Sequence, residues 1–180
     1  MASWRAILNW WNPTRAWCED PAKSLVLDLD THRFCGVGIG ETTQSLSFLG
    51  PATGWFGGLE YPERRLLIMD EVSLDEIMLY FGHPAEPDGG IYRGEIRYRG
   101  EPLALSSATS EEAVLALFGQ PYWRDADESE TILFYEFPER EWQVEFGTDG
   151  RLKCFSMGEP ILADLVQRDA YGVTKPWPPS

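Results

Sequence analysis

The chain writes one pattern twice. Phe48-Leu49-Gly50-Pro51 recurs as Leu117-Phe118-Gly119-Gln120-Pro121, and Tyr61-Pro62-Glu63-Arg64 recurs as Phe137-Pro138-Glu139-Arg140, in the same order. Further along, Gly82 falls opposite Gly158, and the run IMLYF (residues 77–81) opposite KCFSM (residues 153–157). A repeat of this size limits the fold to two small units, neither of which buries a sheet face alone. The expected fold is α+β: two tandem strand-helix-three-strand units, with antiparallel sheets packed together or forming one continuous sheet.

The second copy is the clearer of the two. Thr109 and Glu112 have capping-box spacing, with Thr109 as the expected N-cap. Val114, Leu115 and Phe118 make one apolar face, and Gly119 and Pro121 end the helix. Residues 121–130, PYWRDADESE, read as a loop. Alternation then predicts a strand over residues 132–137 and another in which Trp142, Val144 and Phe146 share a face. Asp149-Gly150 predicts a hairpin turn, and residues 152–157 a return strand. In the first copy, residues 24–29 and 33–37 read as strands, 41–49 as a helix stopped at Gly50-Pro51, and 59–61 and 65–69 as strands. Ser73 and Glu76 also have capping-box spacing, but Ile77, Leu79 and Phe81 alternate. The match to residues 153–157 decides for a strand. The expected organisation is an N-terminal arm (1–23), a first unit (24–82), a linker (83–90), a second unit (91–158), and a short helix at 160–168 followed by a proline-rich tail (159–180 in all).

The order of helix, aliphatic-Gly-x-Pro, loop and three strands with a Thr-Asp-Gly hairpin resembles the small unit of the BamE/SmpA lipoproteins. It is also similar to the tandem units of the β-lactamase inhibitor protein. The resemblance covers residues 109–157 and, more faintly, 41–81. It implies two such units presenting a sheet to a protein partner. The lipobox cysteine and the paired cysteines of those proteins have no counterpart here.

Charge narrows the partner. The formal net charge is −14, which disfavours nucleic acid and favours encounter with a basic protein. Eight Trp, seven Tyr and nine Phe exceed what a core of this size needs and point to an exposed aromatic face. No stretch has the length of a membrane span, and the N-terminus does not read as a signal peptide. Three cysteines without metal spacing suit a reducing, cytoplasmic setting.

No catalytic signature emerges. Histidine occurs at positions 32 and 83 only, both in expected turn or linker sequence. Gly36-Val37-Gly38-Ile39-Gly40 lacks the dinucleotide fingerprint and puts Glu41 where a pyrophosphate would lie. Asp125 and Asp127 resemble half a calcium loop, without its glycine or its terminal glutamate. No cofactor and no metal are expected. The expected function is non-enzymatic binding of a protein, of the immunity or inhibitor type. Its binding residues are Trp55, Phe56, Tyr122, Trp123, Asp125, Asp127 and Glu128. The alternatives are a small-molecule binder or hydrolase using a cleft between the units, and a structural component of an assembly.

Overall fold

The computed structural model describes residues 12–54, 57–82, 91–162 and 164–173. The expected N-terminal arm as far as residue 11, the 83–90 linker with His83, and the proline-rich tail from residue 174 lie outside the described residues. The fold is mixed α+β and rich in strands. It divides into two compact units, residues 1–77 with 93–103, and residues 78–92 with 104–180.

In the first unit, β1 (Val26–Asp28), β2 (Arg33–Phe34), β3 (Val37–Gly38), β7 (Glu95–Tyr98) and β8 (Glu101–Leu103) form a sheet in the order β3-β2-β1-β7-β8. The expected single strand at 33–37 is a hairpin, because Cys35 and Gly36 both take positive φ and turn the chain between β2 and β3. Residues 95–103, inside the expected second unit (91–158), form the β7–β8 hairpin of the first. β7 pairs with β1 in parallel, so this sheet is mixed and not antiparallel throughout. The Asp30 carboxylate accepts the Arg99 and Gly100 amides at the hairpin tip, both at 2.8 Å. Leu27, Phe34 and Ile96 alternate inward and are buried.

The same unit holds the antiparallel pair β4 (Leu59–Tyr61) and β5 (Leu66–Met69); β6 (Glu76–Tyr80) follows in the chain at the boundary of the two units. β6 is a strand, as the match of residues 77–81 to 153–157 predicts, with Ile77 and Leu79 fully buried. The expected helix at 41–49 is a 3-10 helix, Thr43–Leu49, capped by the Thr42 hydroxyl. Residues 12–23 pack against this unit. Asn12 donates to the Ala52 carbonyl at 2.9 Å, and the Thr14 hydroxyl accepts the Ala52 amide at 2.8 Å.

In the second unit the order is β6-β12-β11-β10-β9, with β9 (Trp123–Ala126), β10 (Glu130–Phe137), β11 (Arg140–Gly147) and β12 (Leu152–Gly158). The expected loop at 121–130 is thus an additional strand and a turn, and the meander has four strands. Helix α1 (Glu111–Phe118) is capped by Ser110, whose hydroxyl accepts the Ala113 amide at 3.2 Å. Thr109, the expected cap, instead accepts the Ser106 amide one turn earlier. Val114 and Phe118 are buried. Phe118 meets Tyr135 edge-on at 5.6 Å and Trp142 at 5.4 Å between ring centroids. The Asp149-Gly150 turn forms, with Gly150 at φ 70°. Helix α2 (Leu165–Ala170) starts later than the expected 160–168, because Asp164 caps it through the Val166 amide.

The two helix ends share a geometry. Gly50 and Gly119 take φ 78° and 83° with ψ near ±180°. In each unit a strand tyrosine donates to that glycine's carbonyl, Tyr61 at 3.2 Å and Tyr135 at 3.1 Å. The aligned Gly50-Pro51 and Gly119-Gln120-Pro121 motifs therefore close the same kind of corner. Tyr61, however, corresponds in this bond to Tyr135, not to Phe137.

Candidate protein-binding site

β9 pairs with β10 through Phe134↔Trp123 and Ile132↔Asp125 and is the outermost strand of its unit. Trp123 stacks on Phe134, ring centroids 4.3 Å apart and 18° from parallel. That contact makes a strand of a polar sequence: one ring is fixed on the sheet, and three exposed residues follow it. Asp125 is exposed on β9, and Glu128 is exposed in the turn. Asp127 shapes that turn. Its carboxylate accepts the Ser129 amide and hydroxyl at 2.7 Å and the Glu130 amide at 3.0 Å. These donors, the hydroxyl first, hold its pKa below the ordinary 3.8. Of the expected binding residues, Tyr122, Trp123, Asp125, Asp127 and Glu128 thus lie together on one edge strand and its two flanks. Trp55 and Phe56 lie outside the described residues.

Strand alternation separates two faces of this sheet. Leu133, Tyr135, Trp142, Val144 and Phe146 face α1 and are buried. The opposite face carries Glu130 and Glu136 on β10 and Glu141 and Glu145 on β11, with Gln143 between them. Sequence reading does not single out Glu136 and Glu141, although the signal is present: an acid on either side of the Phe137–Arg140 turn, on strands whose inward neighbours are apolar. They are directly opposite each other and only 6% and 1% exposed. Like charges placed so are destabilising unless each is answered, and each is. Arg168 of α2 forks onto Glu136, with Nη1 at 2.7 Å from Oε2 and Nη2 on Oε1. Its Nε donates to the Leu162 carbonyl, and its guanidinium lies 5.9 Å from the Tyr122 ring centroid. Glu141 accepts the Tyr122 hydroxyl at 2.5 Å and the Gln143 amide at 3.0 Å. Burial first, and then this bond, push the Tyr122 hydroxyl well above its ordinary pKa. At the far end of the same face, Lys153 pairs with Glu145 and with Glu130, the latter at 3.3 Å.

Among the described residues, reactive groups do not converge in either groove of the first unit. Glu136 and Glu141 are engaged by the chain's own side chains, and neither lines either of two open grooves in the first unit. One groove, of about 550 Å³, runs over β1, β2 and β7 past Lys23, Arg33, Cys35 and Arg97. The other, of about 460 Å³, lies beside Trp17 and Phe48. Arg33 is paired with Glu41, and Arg97 with Glu95. Burial raises the Cys35 pKa, which suppresses its thiolate. Glu41 also accepts the Gly38 amide at 3.2 Å, so a carboxylate occupies the mouth of the glycine-rich turn. Among the described residues no three His, Cys, Asp or Glu side chains gather as a metal site, and no helix is long and apolar enough to cross a membrane.

No family model matches the chain, and no characterised protein matches it. Among solved structures it is similar to a DUF4309 family protein, YjgB, from Bacillus subtilis, with 14% identity and a TM-score of 0.45 over 69% of this chain and 83% of that one. A likeness this distant says nothing of function.

Proposed function

We propose that the protein is a non-enzymatic binding protein of the immunity or inhibitor type, acting in the cytoplasm on a basic protein partner. The observation that carries this reading is the β9 edge. A sheet-anchored Trp123 is followed by Asp125, Asp127 and Glu128, all exposed. Acids at the rim speed encounter with a basic surface, and an anchored ring contributes slow dissociation. An outermost strand also leaves backbone groups open to a partner's strand. We further propose that the two units arose by duplication, on the strength of the matching glycine corners and their tyrosine bonds.

The test is capture of partners by the immobilised chain at low and high salt, beside a variant carrying Trp123→Ala, Asp125→Asn and Glu128→Gln. The expected result is a basic protein held at low salt, held less at high salt, and lost from the variant. Equal capture by both chains, or no basic protein at either salt, overturns the reading.

A further inference from the structure

We infer that Glu136, Glu141 and Tyr122 form a socket for an arginine side chain, that Arg168 fills it in the resting chain, and that α2 with its flanks is a cover displaced by a partner's arginine. The partner's part in this rests on the proposed function; the socket itself does not.

Two features of the walls make the socket selective for a guanidinium. A buried carboxylate receives both Nη groups side by side, and an aromatic ring flanks the cation. An ammonium offers one point of charge and cannot match the planar fork. The walls belong to β10 and β11, paired through eight successive residues, and to Tyr122 beside them. The occupant belongs to a six-residue helix with no buried residue, whose Leu165 and Val166 are 77% and 76% exposed. Leu162 and Val173 fasten its two ends. A helix this short has little stability of its own, so wall and occupant differ in how readily each can move.

The cover also lies on the residues proposed to bind. Arg168 flanks Tyr122, and Tyr171 approaches Trp123 at 5.5 Å. Arginine and tyrosine are among the residue types that dominate protein interfaces. Glu130, Glu136, Glu141 and Glu145 lie on this face with Asp125 of β9; Lys153 answers Glu130 and Glu145, Arg168 answers Glu136, and Tyr122 with Gln143 holds Glu141. A basic partner meets the same face with like chemistry. Arg168 therefore stands where the partner's cation would stand, and its departure exposes both rings at once.

The test uses the full chain, with N-acetylarginine amide and N-acetyllysine amide as probes and the Tyr122 and Glu136 resonances as readout. Arg168→Ala is expected to bind the arginine probe saturably and at least about tenfold more tightly than the lysine probe. Wild type is expected to show no saturable shift over the same range, and adding Glu136→Gln to Arg168→Ala to abolish binding. No binding, or equal binding of both probes, overturns the socket. Hydrogen exchange on the unaltered chain tests the cover without relying on a variant. The amides of α2 are expected to exchange at least about a hundredfold faster than those of Trp142 and Val144; matched rates overturn the cover. If Arg168→Ala binds the arginine probe but neither chain captures a basic protein, the socket stands and the proposed function falls.

Discussion

Removing the Phe118 ring tests how the second unit is held together. Phe118 is 4% exposed at the last turn of α1, with Tyr135 at 5.6 Å and Trp142 at 5.4 Å. Phe118→Ala removes a fully packed ring and leaves a cavity, which costs about 3–5 kcal/mol. Within that, each aromatic pair contributes about 0.5–1.5 kcal/mol beyond area burial. The corner should loosen as well, because Tyr135 also donates to the neighbouring Gly119 carbonyl. Phe118→Leu keeps most of the volume and should cost about 1.5 kcal/mol or less. Against a domain stability of about 5–15 kcal/mol, the alanine variant loses a large share. With a urea slope of about 2 kcal/mol per molar, its midpoint falls by about 1.5–2.5 M, and that of the leucine variant by under about 1 M. Tryptophan fluorescence follows the transition, since Trp142 is buried in this cluster. A drop below about 0.5 M for Phe118→Ala would mean that α1 is not seated on β10 and β11 as described.

One side chain braces the tip of the β7–β8 hairpin: Asp30→Ala leaves the exposed Arg99 and Gly100 amides to water and should cost about 0.5–1.5 kcal/mol, with hydrogen exchange accelerated at both. Gly58 has φ 149°, and an added Cβ would lie 2.8 Å from the Ile68 carbonyl oxygen, so Gly58→Ala should cost about 1–3 kcal/mol in a denaturant titration. Asp127 should titrate below 3.8 by carboxyl NMR, and Ser129→Ala should move its midpoint up, because the hydroxyl is the largest cause of the depression. The sign for stability follows: a depressed carboxyl stabilises the fold above its unfolded pKa, and that contribution is lost as pH falls below about 3.8. A Ser129→Ala midpoint at or below that of wild type would contradict the assigned bond.

Local chemistry was legible where it acted alone. Asp149-Gly150 marks its hairpin unaided, whereas the alternation of Ile77, Leu79 and Phe81 competes with a capping-box spacing at Ser73 and Glu76, and β6 is legible only through the match to residues 153–157. What needed a distant partner was not. β9 reads as loop because its polar residues acquire strand structure only through β10 and the Trp123–Phe134 stack. β7 reads as part of the second unit because its parallel partner, β1, lies some seventy residues earlier in the chain, a separation that no local pattern records. Thr109 and Ser110 each offer a capping hydroxyl, and the choice falls to Ser110 because Thr109 is already engaged by the Ser106 amide. At the site, the exposed acids and Trp123 were visible as composition. The buried half was hidden, because Glu136 and Glu141 look like surface acids until Arg168 and Tyr122 are brought to them from outside the hairpin.

Hydrogen exchange of the chain with its captured basic partner, read peptide by peptide, tests the binding reading most directly. Protection is predicted over residues 122–130, with α2 exchanging faster as Arg168 is displaced. Protection confined to the first unit, with residues 122–130 and α2 unchanged, would contradict it.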